Sequence, residues 1–142
     1  VSPSTPGTVR ALRDLSPESN QRIHLTQAGP DSFRSAANTD VVITSAGVSA
    51  WEFACAGVPQ ILVETSLDQR PNVDWFVSHG CGASIGTLAQ IQSDSRSATE
   101  RLQELLADKA GLQLRARTAW ERIDGLGAER VAQAIQSLAA AQ

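Results

Sequence analysis

Two short runs, residues 40–44 (DVVIT) and residues 60–64 (QILVE), keep their apolar side chains at successive positions instead of alternate ones. A strand with one face in water alternates, whereas a strand apolar on both sides needs cover on both. Each run is followed by a stretch with helical spacing, residues 48–56 and 71–79, and residues 82–85 supply a further short strand. Strands that alternate with helices imply right-handed crossovers and a parallel sheet with helices on its faces. The fold class is therefore α/β.

The last third of the chain is helical. Leu102, Leu105 and Leu106 share one helical stripe, Val131, Ala134, Ile135 and Leu138 another, and a third helix is expected over residues 114–123. Asp124-Gly125-Leu126-Gly127 breaks the pattern, because each glycine costs about 1 kcal/mol inside a helix, and reads as a turn. At the other end, residues 1–7 are turn-rich and open directly into a helical pattern capped by Thr8, with Val9, Leu12 and Leu15 on one side. Residues 21–26 give a weak strand signal and residues 32–37 a short helix. A chain that starts at the end of a strand suggests a piece of something longer. Its 142 residues suffice for a single domain spanning 1–142.

Charge narrows the function classes. Twelve basic and fifteen acidic residues give −3, which leaves no basic surplus to attract nucleic acid or an anionic membrane. No apolar run approaches the roughly eighteen residues of a membrane span, and no leader pattern opens the chain. Cys55 and Cys81 have neither metal-ligand spacing nor the density of a disulfide scaffold, so both are expected to be reduced, as in the cytoplasm. No carboxylate pair has metal-ligand spacing, and no metal is expected.

The chemistry concentrates at Ser45-Ala46-Gly47, between the first apolar strand and the following helix. In open parallel sheets this corner, at the carboxyl end of a strand, is where ligands bind. An anion held against Gly47 and Val48 would meet helix-terminal N–H groups that have no partner within the helix. Glu52, one turn further on, would repel a phosphate but could accept from two neighbouring sugar hydroxyls. Ser49-x-x-Glu52 also spells a capping box, which would turn both side chains back to the helix's own amides. Gly57-Val58-Pro59 is structural, a left-handed glycine followed by a helix-stopping proline.

A second polar group, Asp68-Gln69-Arg70-Pro71-Asn72, falls just past the next strand. Gln69 and Asn72 would supply neutral donors and acceptors for sugar hydroxyls or a pyrophosphate, while Asp68 or Asn72 could instead cap the helix. Arg70 could offset phosphate charge or remain in solvent. His24 and His79 fit no catalytic pattern.

Taken together, Ser45-Ala46-Gly47, Ser49, Glu52, Ala56-Gly57-Val58-Pro59, Asp68-Gln69, Asn72 and the glycines at 82 and 86 resemble the carboxyl-terminal half of GT-B-type nucleotide-sugar enzymes. Asp124-Gly125-Leu126-Gly127-Ala128-Glu129-Arg130-Val131 is similar to a late motif of the UDP-sugar hydrolases of pseudaminic-acid synthesis and their spore-coat polysaccharide relatives. The MurG-like N-acetylglucosaminyl transferases of peptidoglycan synthesis are a more distant likeness. The resemblance implies a Rossmann-like half of a GT-B fold. It further implies nucleotide contacts from Ser45, Ala46, Gly47, Val48, Ser49 and Glu52, and sugar or diphosphate contacts from Gln69 and Asn72. UDP or a UDP-sugar would be the ligand, with no further cofactor. The catalytic residues would lie on an amino-terminal Rossmann-like domain in the same or a companion chain. Hydrolysis of a UDP-sugar is the expected activity, with glycosyl transfer or a non-catalytic binding or assembly role as alternatives. The chain departs from the family at Val48, where a second glycine is common, and at residues 2–6, which replace a glycine-rich turn.

Overall fold

A computed structural model describes residue 36 and residues 38–140, within the compact unit that begins at Ala36. The helix expected after Thr8, the strand at 21–26 and nearly all of the helix at 32–37 lie outside the described residues. Three parallel strands run in the order of the sequence: β1 (Val42–Ser45), β2 (Gln60–Glu64) and β3 (Ala83–Thr87). The crossovers are α1 (Val48–Cys55) between β1 and β2, and a 3-10 turn (Leu67–Gln69) continuing into α2 (Arg70–Ser78) between β2 and β3. Beyond the sheet come α3 (Leu88–Ser93), α4 (Ser95–Ala107), α5 (Lys109–Arg122) and α6 (Gly127–Ala140). The α/β class with a parallel sheet and flanking helices holds.

Successive side chains of a strand point to opposite faces, so β2 builds two cores at once. Leu62 faces a cluster with Ala50, Ala54, Val73, Phe76 and Ala119. Ile61 faces the other side, with Ala83, Leu105 and Leu112. The expectation of cover on both faces holds for β2, of whose five residues only Val63 is not fully buried. It fails for β1, where Ile43 is 53% exposed. β1 is an edge of the described sheet and pairs only with β2 among the described strands.

Boundaries shift where local chemistry was underestimated. β1 ends on Ser45 rather than Thr44, and β3 continues through Thr87. β2 advances from Leu62 to Glu64 while β3 advances from Ser84 to Thr87, so β3 carries one extra residue. Gly86 sits in that irregularity with φ +101°, a conformation that only glycine adopts without strain. Helix α3 was not expected. It is nucleated by a capping box in which Thr87 accepts from the Gln90 amide and the Gln90 side chain accepts from the Thr87 amide.

Candidate functional site

Helix α1 stands on the sheet by its alanines. Ala46, Ala50 and Ala54, spaced by four and fully buried, bring the helix close to β2. Gln60 of β2 adds a donor from Nε2 to the Ala50 carbonyl at 3.1 Å. The opposite face, with Val48, Ser49 and Glu52, is therefore left to solvent. Trp51 leans on Phe76 and Trp75, with ring centroids 4.7 and 4.9 Å away, and Trp75 meets Phe76 edge-on at 5.4 Å. Burying a side chain such as Phe76 contributes roughly 1.5–3 kcal/mol, and each aromatic pair about 0.5–1.5 kcal/mol more. This aromatic block joins α1 to the second half of α2.

The start of α1 is uncapped. Gly47 is its N-cap residue and offers no side chain, and the amides of Val48 and Ser49 meet no acceptor among the described residues. The capping box written into Ser49-x-x-Glu52 is not formed, because the helix begins before Ser49 and puts that residue inside its first turn. The Glu52 side chain is exposed, and its carboxylate makes no hydrogen bond or ion pair among the described residues. Val48 is 77% exposed. It shares the outer face with Glu52, as residues four apart do.

Gln69 and Asn72, 24 and more residues away in sequence from Ser45, come to this corner. The Asn72 Nδ2 donates to the Ala46 carbonyl at 2.8 Å, tying the first turn of α2 to the end of β1. The Gln69 Oε1 accepts from both the amide and the hydroxyl of Thr65, each at 3.1 Å. Two donors on one oxygen fix the orientation of the amide, leaving Nε2 toward Gly47. A Cβ placed on Gly47 would lie 4.0 Å from Gln69 Nε2 and 4.0 Å from Ser45 Oγ, with no closer atom among the described residues apart from its chain neighbours. Two polar side-chain atoms thus approach Gly47, beside a helix start whose first amides are uncapped.

Three local expectations are corrected. Neither Asp68 nor Asn72 caps α2; Gln69 is its N-cap residue and no side chain accepts from its first turn. Arg70 does not lie free in solvent but is held in an ion pair. Its Nε and Nη2 donate to the two oxygens of Glu64 at 2.5 and 2.9 Å. Glu64, at the end of β2, is buried. This pair was missed because the last residue of a strand gives no periodic signal of burial. His79 stacks on Trp75 with centroids 4.4 Å apart, and its Nδ1 lies 2.8 Å from the Trp75 carbonyl.

The late motif serves the framework. Arg130 grips both oxygens of Asp124 across the α5–α6 turn. That pairing, with the Leu126 amide also donating to the carboxylate, holds the Asp124 carboxyl down at about 2. Gly125 has φ +74°, and a Cβ there would come within 2.9 Å of Cys55 Sγ at the end of α1. Because α1 begins at the carboxyl edge of the sheet, this contact lies at the far end of the helix from Gly47. Cys55 and Cys81 are free thiols, and burial pushes the Cys81 thiol up. Among the described residues no three His, Cys, Asp or Glu side chains group as metal ligands, and no helix is long and apolar enough to cross a membrane.

An open groove of about 580 Å³ lies elsewhere, at the α1–β2 connection, lined by Ala56, Gly57, Ala116, Arg117 and Trp120 among others. None of the residues expected to bind a ligand lines it, so concavity and chemistry point to different places, and the polar atoms beside the uncapped helix start at Gly47 are the stronger indication. The chain matches no protein-family model, no curated protein and no solved structure.

Proposed function

We propose that this chain is the nucleotide-binding half of a nucleotide-sugar enzyme and takes UDP or a UDP-sugar at the Gly47 corner. The observation that carries the reading is the approach of Ser45 Oγ and Gln69 Nε2 to Gly47 at an uncapped helix start, one helical turn from the unpaired Glu52 carboxylate. Neutral donors at a helix start suit the oxygens of a diphosphate, and a free carboxylate displaced along the same helix suits a pair of ribose hydroxyls. The reaction in view is hydrolysis of the UDP-sugar for surface polysaccharide or nonulosonic acid synthesis. Water forms a bond to the anomeric carbon, the bond from that carbon to the diphosphate oxygen breaks, and its electron pair leaves with UDP. This chain holds the departing diphosphate, and the group that takes the proton from water belongs to a facing amino-terminal domain. An acceptor hydroxyl in place of water would make the same site a transferase.

Calorimetric titration with UDP, UMP, uridine and ADP tests the reading. UDP is expected to bind best, and Glu52→Ala to weaken it roughly 10- to 100-fold, the equivalent of one charge-assisted hydrogen bond of about 1.5–3 kcal/mol. An absence of heat with millimolar UDP would favour the second reading, a non-catalytic assembly domain. That reading draws on α6, whose Val131, Ile135 and Leu138 are all exposed.

A further inference from the structure

The Glu64–Arg70 pair flanks the Thr65–Gln69 loop, and its form is informative. Glu64 ends the central strand with a side chain only 7% exposed, while the Arg70 side chain is 53% exposed. A buried carboxylate is costly unless both oxygens are engaged, and a planar guanidinium engages both at once. Arg70 immediately follows Gln69, and Glu64 immediately precedes Thr65, the residue to which Gln69 is bound. The ion pair therefore closes the base of the same five-residue loop that the Thr65–Gln69 hydrogen bonds close from within. Asn72, two residues beyond Arg70, ties the other side of the loop to Ala46.

We infer that Glu64 and Arg70 form a positioning pair which holds Gln69 against Thr65, so that Gln69 Nε2 stays aimed at the Gly47 corner. Arg70 acts on the ligand only through Gln69, and the site keeps neutral donors where a free arginine would have imposed a full charge. The ligand consequence rests on the nucleotide reading above; the orientation of Gln69 does not.

The test compares wild-type chain with Arg70→Lys and Arg70→Ala in two measurements. The first is amide hydrogen exchange at Thr65, whose N–H donates to Gln69 Oε1 and to no other acceptor among the described residues. Exchange at Thr65 is expected to quicken about tenfold in Arg70→Ala and less in Arg70→Lys, because a point charge cannot hold both oxygens. Exchange at Ile61 and Leu62 should stay unchanged. The second is titration with UDP and with uridine, where Arg70→Ala is expected to weaken UDP about five- to tenfold and to leave uridine unaffected. If Arg70→Ala does not fold with a lone buried carboxylate, the double variant Glu64→Gln/Arg70→Ala removes both charges and gives the same two readouts. Unchanged exchange at Thr65 would overturn the inference, as would an equal acceleration of Thr65, Ile61 and Leu62. Failure of wild-type chain to bind UDP would remove the nucleotide reading, while Thr65 exchange would still decide the role of the pair.

Discussion

Replacing Gly47 by alanine separates folding from binding. Gly47 has φ −87° and ψ −160°, extended backbone open to any residue. Among the described residues the new methyl would find its nearest neighbours at 4.0 Å, ordinary van der Waals contact. Loss of glycine's freedom in the unfolded chain stabilises by about 0.4–1 kcal/mol. Alanine is a poorer N-cap than glycine by an amount of the same order. The two nearly cancel, so Gly47→Ala should unfold within about 1 kcal/mol of wild type. Binding should respond differently, because the methyl stands where Ser45 Oγ and Gln69 Nε2 both approach Gly47. A ligand oxygen bound by both must come within about 2.7–3.2 Å of each, and a methyl 4.0 Å from both competes for that space. Loss of one charge-assisted bond removes about 1.5–3 kcal/mol, a 10- to 100-fold weakening of UDP. Urea unfolding and calorimetric titration on the same preparations provide the two numbers. A folded Gly47→Ala chain that binds UDP within about twofold of wild type would refute the reasoning.

Two further predictions concern the late motif. The Asp124 carboxyl is held at about 2 by Arg130 and by the Leu126 amide, against an ordinary value of 3.8. A lowered carboxyl favours the folded turn at every pH above the ordinary value, and that contribution disappears as pH falls through the lowered one. A carbon-detected NMR titration should therefore show the pair intact at pH 4 and lost near pH 2, with Arg130→Ala moving the midpoint upward. Gly125→Ala meets both a positive φ and the Cys55 sulfur. It should destabilise by about 2–4 kcal/mol in denaturant unfolding, and adding Cys55→Ala should recover the steric part while leaving the backbone part.

The sheet was legible because its strands are continuously apolar and separated by helical stretches. Two continuous apolar runs specified parallel strands, and β2 occupies residues 60–64 as read. Gly57 ends α1 with φ +68°, and Pro59 leads into β2, as the punctuation implied. The spatial meeting of Gln69 and Asn72 with Ser45-Ala46-Gly47 followed from placing both segments at the carboxyl ends of adjacent parallel strands. Side-chain hydrogen bonding was harder to read, because one short motif permits several partners. Ser49-x-x-Glu52 has the spelling of a capping box and forms none, while Thr87 and Gln90 form one that drew no attention. The difference lies in where the backbone starts to turn. At Ser45-Ala46-Gly47 the chain enters the helix at Gly47, two residues before the serine, whereas Thr87 ends its strand and becomes the cap itself. The Glu64–Arg70 pair was hidden for a similar reason, since its burial depends on how the loop after β2 folds back over the strand end.

The central claim is that the first amides of α1 are uncovered donors that receive a diphosphate. Amide proton and nitrogen chemical shifts during a UDP titration examine those groups directly. The account predicts that Gly47, Val48 and Ser49 shift most, together with the Gln69 side-chain amide, and that uridine reproduces little of the change. Saturating UDP that leaves these four resonances in place, or that moves only residues around Gly57 and Trp120, would contradict it.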